Sequence, residues 1–434
     1  MADPHLPPQA PAVQVPLLNS SRYRENQGTD LDRVLDRLEK FLTFLGFKQS
    51  SVLSFLLSWA GFVVVGVLLP VLMLEFSQCS GCEKYQITNF ELDIVASQTC
   101  LAAISLLCLS HNLRKYGIRK FLFVDRSCGH VASLNELYIK QIKESMRLFV
   151  LWLLPCLILK TAREIIRILY VQRESWWLSV AVLFTLVLSW TYVSTISLTA
   201  SILFHLVCNL QVIHFEDYAK LLERESDVLI FVDEHIRLRF HLSKISHRFR
   251  IYLLLDFLVV TASQFMTLFQ TTGYRGVITF LNGGDFAVSS VVQVVGIILC
   301  LHAATKISRR AQGISALASR WHALATCSST DASQLRGSNS VGNLEAFADS
   351  FYMTYSESDL ESVEYVALPT PTQLTSYLSS YNRRQAFVMY LQSNPGGITL
   401  YGWTVDRGLI NTIFFIELSL VTFVLGKTIS FSST

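Results

Sequence analysis

Few side chains in this 434-residue chain are spaced for covalent chemistry. Cys79 and Cys82 form a CSGC pair in a polar loop, and such a pair makes either a local disulfide or two free thiols. A metal site there would need two more ligands, and the stretch from Glu75 to Asp93 contains no His and no third Cys. Most of the nine cysteines fall inside apolar runs, where a thiol behaves as a small hydrophobe. His205 and His214 flank the inner end of one such run and read as polar helix-packing groups. GxSxG, HExxH, phosphate-binding glycine loops and dinucleotide fingerprints are absent from the sequence, so nothing in it calls for an enzyme or a cofactor.

The remaining candidates are polar and aromatic residues inside apolar runs. In the last run, Asn411, Thr412, Glu417, Ser419 and Thr422 interrupt about 17 residues of hydrocarbon character. On a helix, Thr412, Ile416, Ser419, Phe423 and Gly426 share one face, with Thr422 at its edge. A face of small and hydroxyl-bearing residues with one ring suits either a water-filled pore or close helix packing. Glu417 lies on roughly the opposite face, where it meets a neighbouring span rather than the same lumen. Trp190, Tyr192 and Phe269 are candidates to line an apolar ligand pocket, with Thr191 and Gln270 supplying hydrogen bonds. Trp176 and Trp177 are expected at the membrane interface.

These residues need long apolar helices to carry them. The chain is 51% hydrophobic and 16% charged, with a mean hydropathy of +0.40, which excludes both an ordinary cytosolic protein and a disordered one. A net charge of +3 gives no global field for nucleic acid. Seven runs are long enough to cross hydrocarbon: Ser51 to Leu74, Ile94 to Ser110, Leu148 to Tyr170, Trp177 to Val212, Ile251 to Thr271, Phe286 to Thr305 and Leu409 to Leu425. The third is apolar only in its first half and carries Lys160, Arg163, Glu164 and Arg167 in its second. Alternating across the membrane, the intervening segments put 29 Lys and Arg on the N-terminal side and 7 on the other. That asymmetry makes the N-terminus and three large loops cytoplasmic and puts the tail after Gly426 outside.

The expected fold class is therefore an all-α membrane protein of seven transmembrane helices, extended into a cytoplasmic anchor bundle. Residues 1–28, rich in Pro, Gln and Ser, read as a disordered tail, and 29–50 as an amphipathic juxtamembrane helix, lying on the membrane or packed on protein. Residues 51–327 hold six spans with helical cytoplasmic extensions. Residues 328–375 read as a Ser-rich and acidic disordered linker, and 376–434 as a cytoplasmic helix, a turn and the seventh span.

The stretch from Ala386 to Lys427, with its helix, its Ser393-Asn394-Pro395-Gly396-Gly397 breaker and its final span, resembles the C-terminal block of the insect odorant and gustatory receptors. The seven-span plan with an inside N-terminus is similar to that family from end to end. It resembles still more the plant proteins of unknown function regarded as distant relatives of those receptors. The family's Thr-Tyr-(apolar)-Gln-Phe signature is degenerate here: Ser419 and Leu420 stand at its Thr and Tyr, and Gly426 at its Gln. The resemblance implies a homotetrameric ligand-gated cation channel in which the last span lines a central pore. Carried over by position, Ser419 and Phe423 face that pore, Phe423 replaces an apolar gate and Gly426 sits near the outer mouth. The ligand pocket would lie in the outer half, among the second, third, fourth and sixth spans. The partners implied are further copies of the chain, membrane lipid, an unidentified small molecule and monovalent or divalent cations. The expected location is a multi-pass membrane protein of the plasma membrane or an endomembrane. The competing reading is a non-conducting seven-span receptor or scaffold acting through its cytoplasmic helices and linker.

Overall fold

A backbone in hydrocarbon has no water to bond to, so apolar runs of this length close their hydrogen bonds internally as helices. The computed structural model describes residues 17–76, 90–123, 131–170, 176–224, 228–273, 280–328, 380–405 and 407–430. The CSGC pair and the Ser-rich linker lie outside them. Helix α1 (Leu17–Phe44) precedes α2 (Val52–Phe62), a π-helical turn (Val63–Leu68) and α3 (Leu69–Phe76). Then come α4 (Phe90–Phe121), α5 (Val131–Tyr170), α6 (Trp176–Arg224), α7 (Val228–Gly273) and α8 (Phe280–Ser328). Helix α9 (Ser380–Ser393), strands β1 (Thr399–Leu400) and β2 (Trp403–Thr404) and helix α10 (Arg407–Ser430) complete the described chain.

Among the described residues, five helical stretches are long and apolar enough to cross a membrane: Val52–Glu75, Glu91–Phe121, Ser179–Leu222, Val228–Gln270 and Gly284–Ala323. Gly408–Leu420 forms a shorter apolar helix. The third expected span is an unbroken part of α5, but its four charges separate it from the other apolar stretches. The first helix in the sequence begins at Leu17, inside the segment expected to be a disordered tail. The polar residues from Asn19 to Asp30 carry no apolar stripe, so periodicity gives no sign of that extension.

Helix α6 is the centre of the bundle, packing on α4, α5, α7 and α8, with Ile196, Phe204 and Cys208 fully enclosed. The first span lies outermost and presents Leu53, Leu57 and Val63 outward. Its π-turn has a local cause. Pro70 has no N–H to give to the Gly66 carbonyl, and the Thr99 hydroxyl donates to that carbonyl instead at 3.1 Å. Gly66 also admits close approach of α6, since a Cβ there would meet the Val193 side chain at 3.2 Å.

Helices α6 and α7 both pack on α8, and α9 docks on α7 and α8. Leu31, Leu35, Leu38 and Leu42 of α1 are buried, and Phe41 meets Phe149 of α5 edge-on at 5.7 Å. The amphipathic stripe is thus covered by protein, one of the two arrangements its sequence allows. Phe387 of α9 inserts between Phe231 of α7 and Trp321 of α8, with ring centroids 5.8 and 6.4 Å away.

The chain between α9 and α10 is fastened at several points. Asn394 accepts from Arg239 of α7, and the backbone N–H groups of Ile398 and Thr399 donate to Ser308 (3.2 Å) and Ser246 (3.1 Å). A two-residue hairpin follows, with Tyr401 at φ 49° and Gly402 at φ 85°, the positive angles that a type I′ turn requires. Val405 N–H closes it on the Ile398 carbonyl at 2.8 Å.

Truncating Phe387 to Ala empties a fully enclosed aromatic site, so the variant should lose about 3–5 kcal/mol of stability. Thermal unfolding in detergent reads this out, and a melting temperature equal to wild type would mean that α9 is not docked on α7 and α8.

Candidate functional site

The charges of the third span are turned inward. Lys160, Arg163, Glu164 and Arg167 occupy positions i, i+3, i+4 and i+7 of α5, a single helical face, and all four are buried. Arg163 donates to Glu91 of α4 at 2.5 Å and to Glu164 at 2.6 Å. Arg167 reaches Glu91 at 3.2 Å and Glu164 at 3.6 Å. Lys160 pairs with Glu164 at 3.1 Å and with Asp285 of α8. Three cations and three carboxylates from three helices therefore neutralise one another. Nearby, Gln270 of α7 donates to Asp93 of α4.

A small chamber adjoins this network. Its polar wall comprises the six ionised groups with Gln98, Thr99 and Ser189, and its apolar wall includes Gly66, Pro70, Leu186, Trp190 and Val193. Its free space is about 30 Å3, the size of one or two waters and well below the usual ligand cavity. A small molecule could enter only if the ion pairs separated or the first span moved aside. Trp190 is fixed by Cys156, Val288 and Val292, and its Nε1–H donates to Ser289 at 3.4 Å.

Of the five expected pocket residues, Trp190 alone lines this chamber. The Thr191 hydroxyl donates to the Val187 carbonyl of its own helix at 2.6 Å, and Tyr192 packs against the central core. Phe269 points outward and is 76% exposed, while Gln270 is engaged by Asp93. The cause is geometric: consecutive helical residues point about 100° apart, so 190, 191 and 192 do not share a cavity. Glu91 and Asp285 had not been singled out, because each stands near the start of its apolar run and looks interfacial. The signal that could have found the site is the i, i+3, i+4, i+7 run of charge inside a span, since charges in hydrocarbon must face protein or water.

The last helix has two unlike sides. Ile410 and Ile413 pack on Leu101, Val260, Ile297 and Leu301, and Glu417 is buried against α7, accepting from the Thr261 hydroxyl at 2.5 Å. Asp256, also of α7 and fully enclosed, lies close enough to Glu417 for the two carboxyl groups to interact. On the other side, Thr412, Ile416, Ser419, Thr422, Phe423 and Gly426 are exposed, Phe423 by 50%. Helix α8 touches both regions: Asp285 belongs to the ion network, and Ile297 and Leu301, three to four turns further along, pack under α10.

Fold and site together define a polytopic helical membrane protein with a buried ion network. The chain belongs to the family described as protein of unknown function (DUF3537), which matches residues 33–416. A solved insect olfactory receptor, OR5 from Machilis hrabei, aligns with 90% of this chain and 99% of its own at 11% identity, with a TM-score of 0.45. No curated protein matches the chain.

Changing Glu164 to Gln leaves three buried cations facing two carboxylates, and should cost about 3–5 kcal/mol of stability. Replacing Lys160 by Met together with Asp285 by Leu removes an opposite pair and should cost markedly less than either change alone. A double-mutant cycle on detergent melting curves measures the difference, and additive losses would show that the pair is not coupled.

Proposed function

We propose that the chain is a chemoreceptor-like subunit of a homotetrameric ligand-gated cation channel, with seven spans, a cytoplasmic N-terminus and α10 lining a central pore. The observation that carries this reading is the division of α10. One side is held to the bundle through Glu417 and Thr261, while the other exposes Thr412, Ser419, Thr422 and Gly426 in a stripe with Ile416 and Phe423, flanked by the exposed apolar Phe415 and Leu418. A lone span facing lipid gains nothing from such a face, whereas four copies around an axis would wet it. The C-terminal resemblance supports the same arrangement, with Phe423 as the apolar constriction.

The ligand chamber in this reading is the space beside the ion network. Its water-sized volume corresponds to a resting state, and a ligand binds by taking over contacts that the six charges make with one another. Ligand contacts stronger in the opened arrangement than in the resting one shift the population towards it. Displacement of Asp285 moves α8, and Ile297 and Leu301 carry that movement to Ile410 and Ile413 of the pore helix. The anchor formed by α6, α7, α8 and α9 holds the cytoplasmic end while the outer ends of the α10 helices separate.

Two measurements test this. Single-particle imaging in lipid nanodiscs should find four chains with α10 innermost, and monomers would remove the pore. Recordings from cells expressing the Phe423→Ala variant should show a constitutive cation current about tenfold above wild type, because loss of the ring relieves the dewetted constriction by roughly 1.4 kcal/mol. Unchanged currents across substitutions at 419, 423 and 426 would instead favour the non-conducting receptor or scaffold.

A further inference from the structure

Helices α1 and α5 pack side by side and meet at the Phe41 and Phe149 rings. Beside that contact they leave an open groove of about 760 Å3, well within the range of ligand clefts. The groove changes character along its length. Three basic residues line it together: Arg37, one turn before Phe41, and Lys143 and Arg147, within two turns before Phe149. Above them the α5 wall continues through Val150, Leu151 and Leu154, each more than half exposed. Positions 143, 147, 151 and 154 form one stripe, basic below and apolar above.

Three cations meet here with no carboxylate lining the groove. The neighbouring acids are occupied: Asp36 pairs with Lys40 at 2.7 Å, Glu39 with Lys48 at 2.5 Å, and Glu144 faces Lys140 at 4.0 Å. Among the described residues no ion pair reaches Arg37, Lys143 or Arg147. The basic cluster also sits where the apolar run of α5 begins, at Leu148, which is the depth of a lipid headgroup. Ordinary snorkelling accounts for one such side chain but not for three converging from two helices onto the mouth of an apolar groove.

We propose that this groove seats one anionic phospholipid, its phosphate held between Arg37, Lys143 and Arg147 and one acyl chain laid along Phe41, Val150, Leu151 and Leu154. The site is separate from the ion network and from α10. It rests on the chain being embedded in a membrane and is independent of whether the protein conducts. A lipid there bridges α1 to α5 and fills the gap beside their aromatic contact.

The test uses full-length protein in mild detergent, titrated with palmitoyl-oleoyl phosphatidylglycerol or with the phosphatidylcholine of the same chains, with bound lipids counted by native mass spectrometry. The wild type should retain one phosphatidylglycerol with a preference over phosphatidylcholine on the order of a hundredfold, each basic residue near an anionic headgroup contributing a factor of about five. The triple variant Arg37→Gln, Lys143→Gln, Arg147→Gln should lose that preference while still binding phosphatidylcholine. Because all three side chains are exposed, its melting temperature should stay near wild type. Leu151→Trp, which fills the apolar half, should lose the tightly held lipid with the cations intact. A headgroup preference that survives the triple variant would overturn the proposal. So would a wild type that holds both lipids equally, or an oligomer that dissociates in Leu151→Trp, which would make the occupant a second copy of the chain.

Discussion

Six ionised groups enclosed among helices are tolerable only together. Lys160, Arg163 and Arg167 each meet a carboxylate, and among the described residues Glu91, Glu164 and Asp285 have no other counterions as near. Removing charges from water costs several kcal/mol per ion, and only close pairing offsets it. The network therefore dictates which helices must be neighbours: α5 brings four of the charges, and α4 and α8 must each lie beside it to bring one. Much of the packing around the chamber follows from that requirement. Trp190 packs on α8 within this arrangement, and the first span closes the chamber through Gly66 and Pro70.

The region around α9 and the ends of α4 and α7 is organised by ordinary burial instead. Phe204, Phe249 and Phe121 stack through its centre, and Phe231, Trp321 and Phe387 bring α9 into the bundle. Some polar groups there are paired locally, as His214 is with the Tyr138 hydroxyl at 2.8 Å and Asn209 is with Lys306 at 2.9 Å. His205 contacts Asn209, so both histidines noted in the sequence are occupied by helix packing. The two regions are joined by helices that run through both, α6 and α8 among them.

Apolar periodicity made the long helices legible, because a span of about 20 residues leaves no alternative secondary structure in hydrocarbon. The covered stripe of α1 and the helix and turn before α10 were legible for similar reasons: Leu31, Leu38 and Leu42 recur at helical spacing, and Asn394-Pro395-Gly396-Gly397 cannot continue a helix. The chamber was harder to see. Four of its charges were visible as an oddity of the third span, but their partners sit far away in sequence, and no periodicity links Glu91 to Arg163 or Asp285 to Lys160. The pocket placed on Trp190, Thr191, Tyr192, Phe269 and Gln270 followed residue type rather than direction, and direction along a helix decides what a side chain lines. The exposed positions 412, 416, 419, 422, 423 and 426 of α10 were legible as a pattern because they recur at helical spacing.

The neutrality of the ion network has an electrical consequence. A charge carried across a membrane at 100 mV does work of about 2.3 kcal/mol, which is how arginine-rich helices sense voltage. Here three positive and three negative groups sit within one cluster, so its displacement as a unit transfers no net charge through the field. A transmembrane potential thus has little leverage on the displacement of the cluster as a whole despite the six charges there. Only an event that separates the charges from one another, chemical rather than electrical, does work on that part of the molecule.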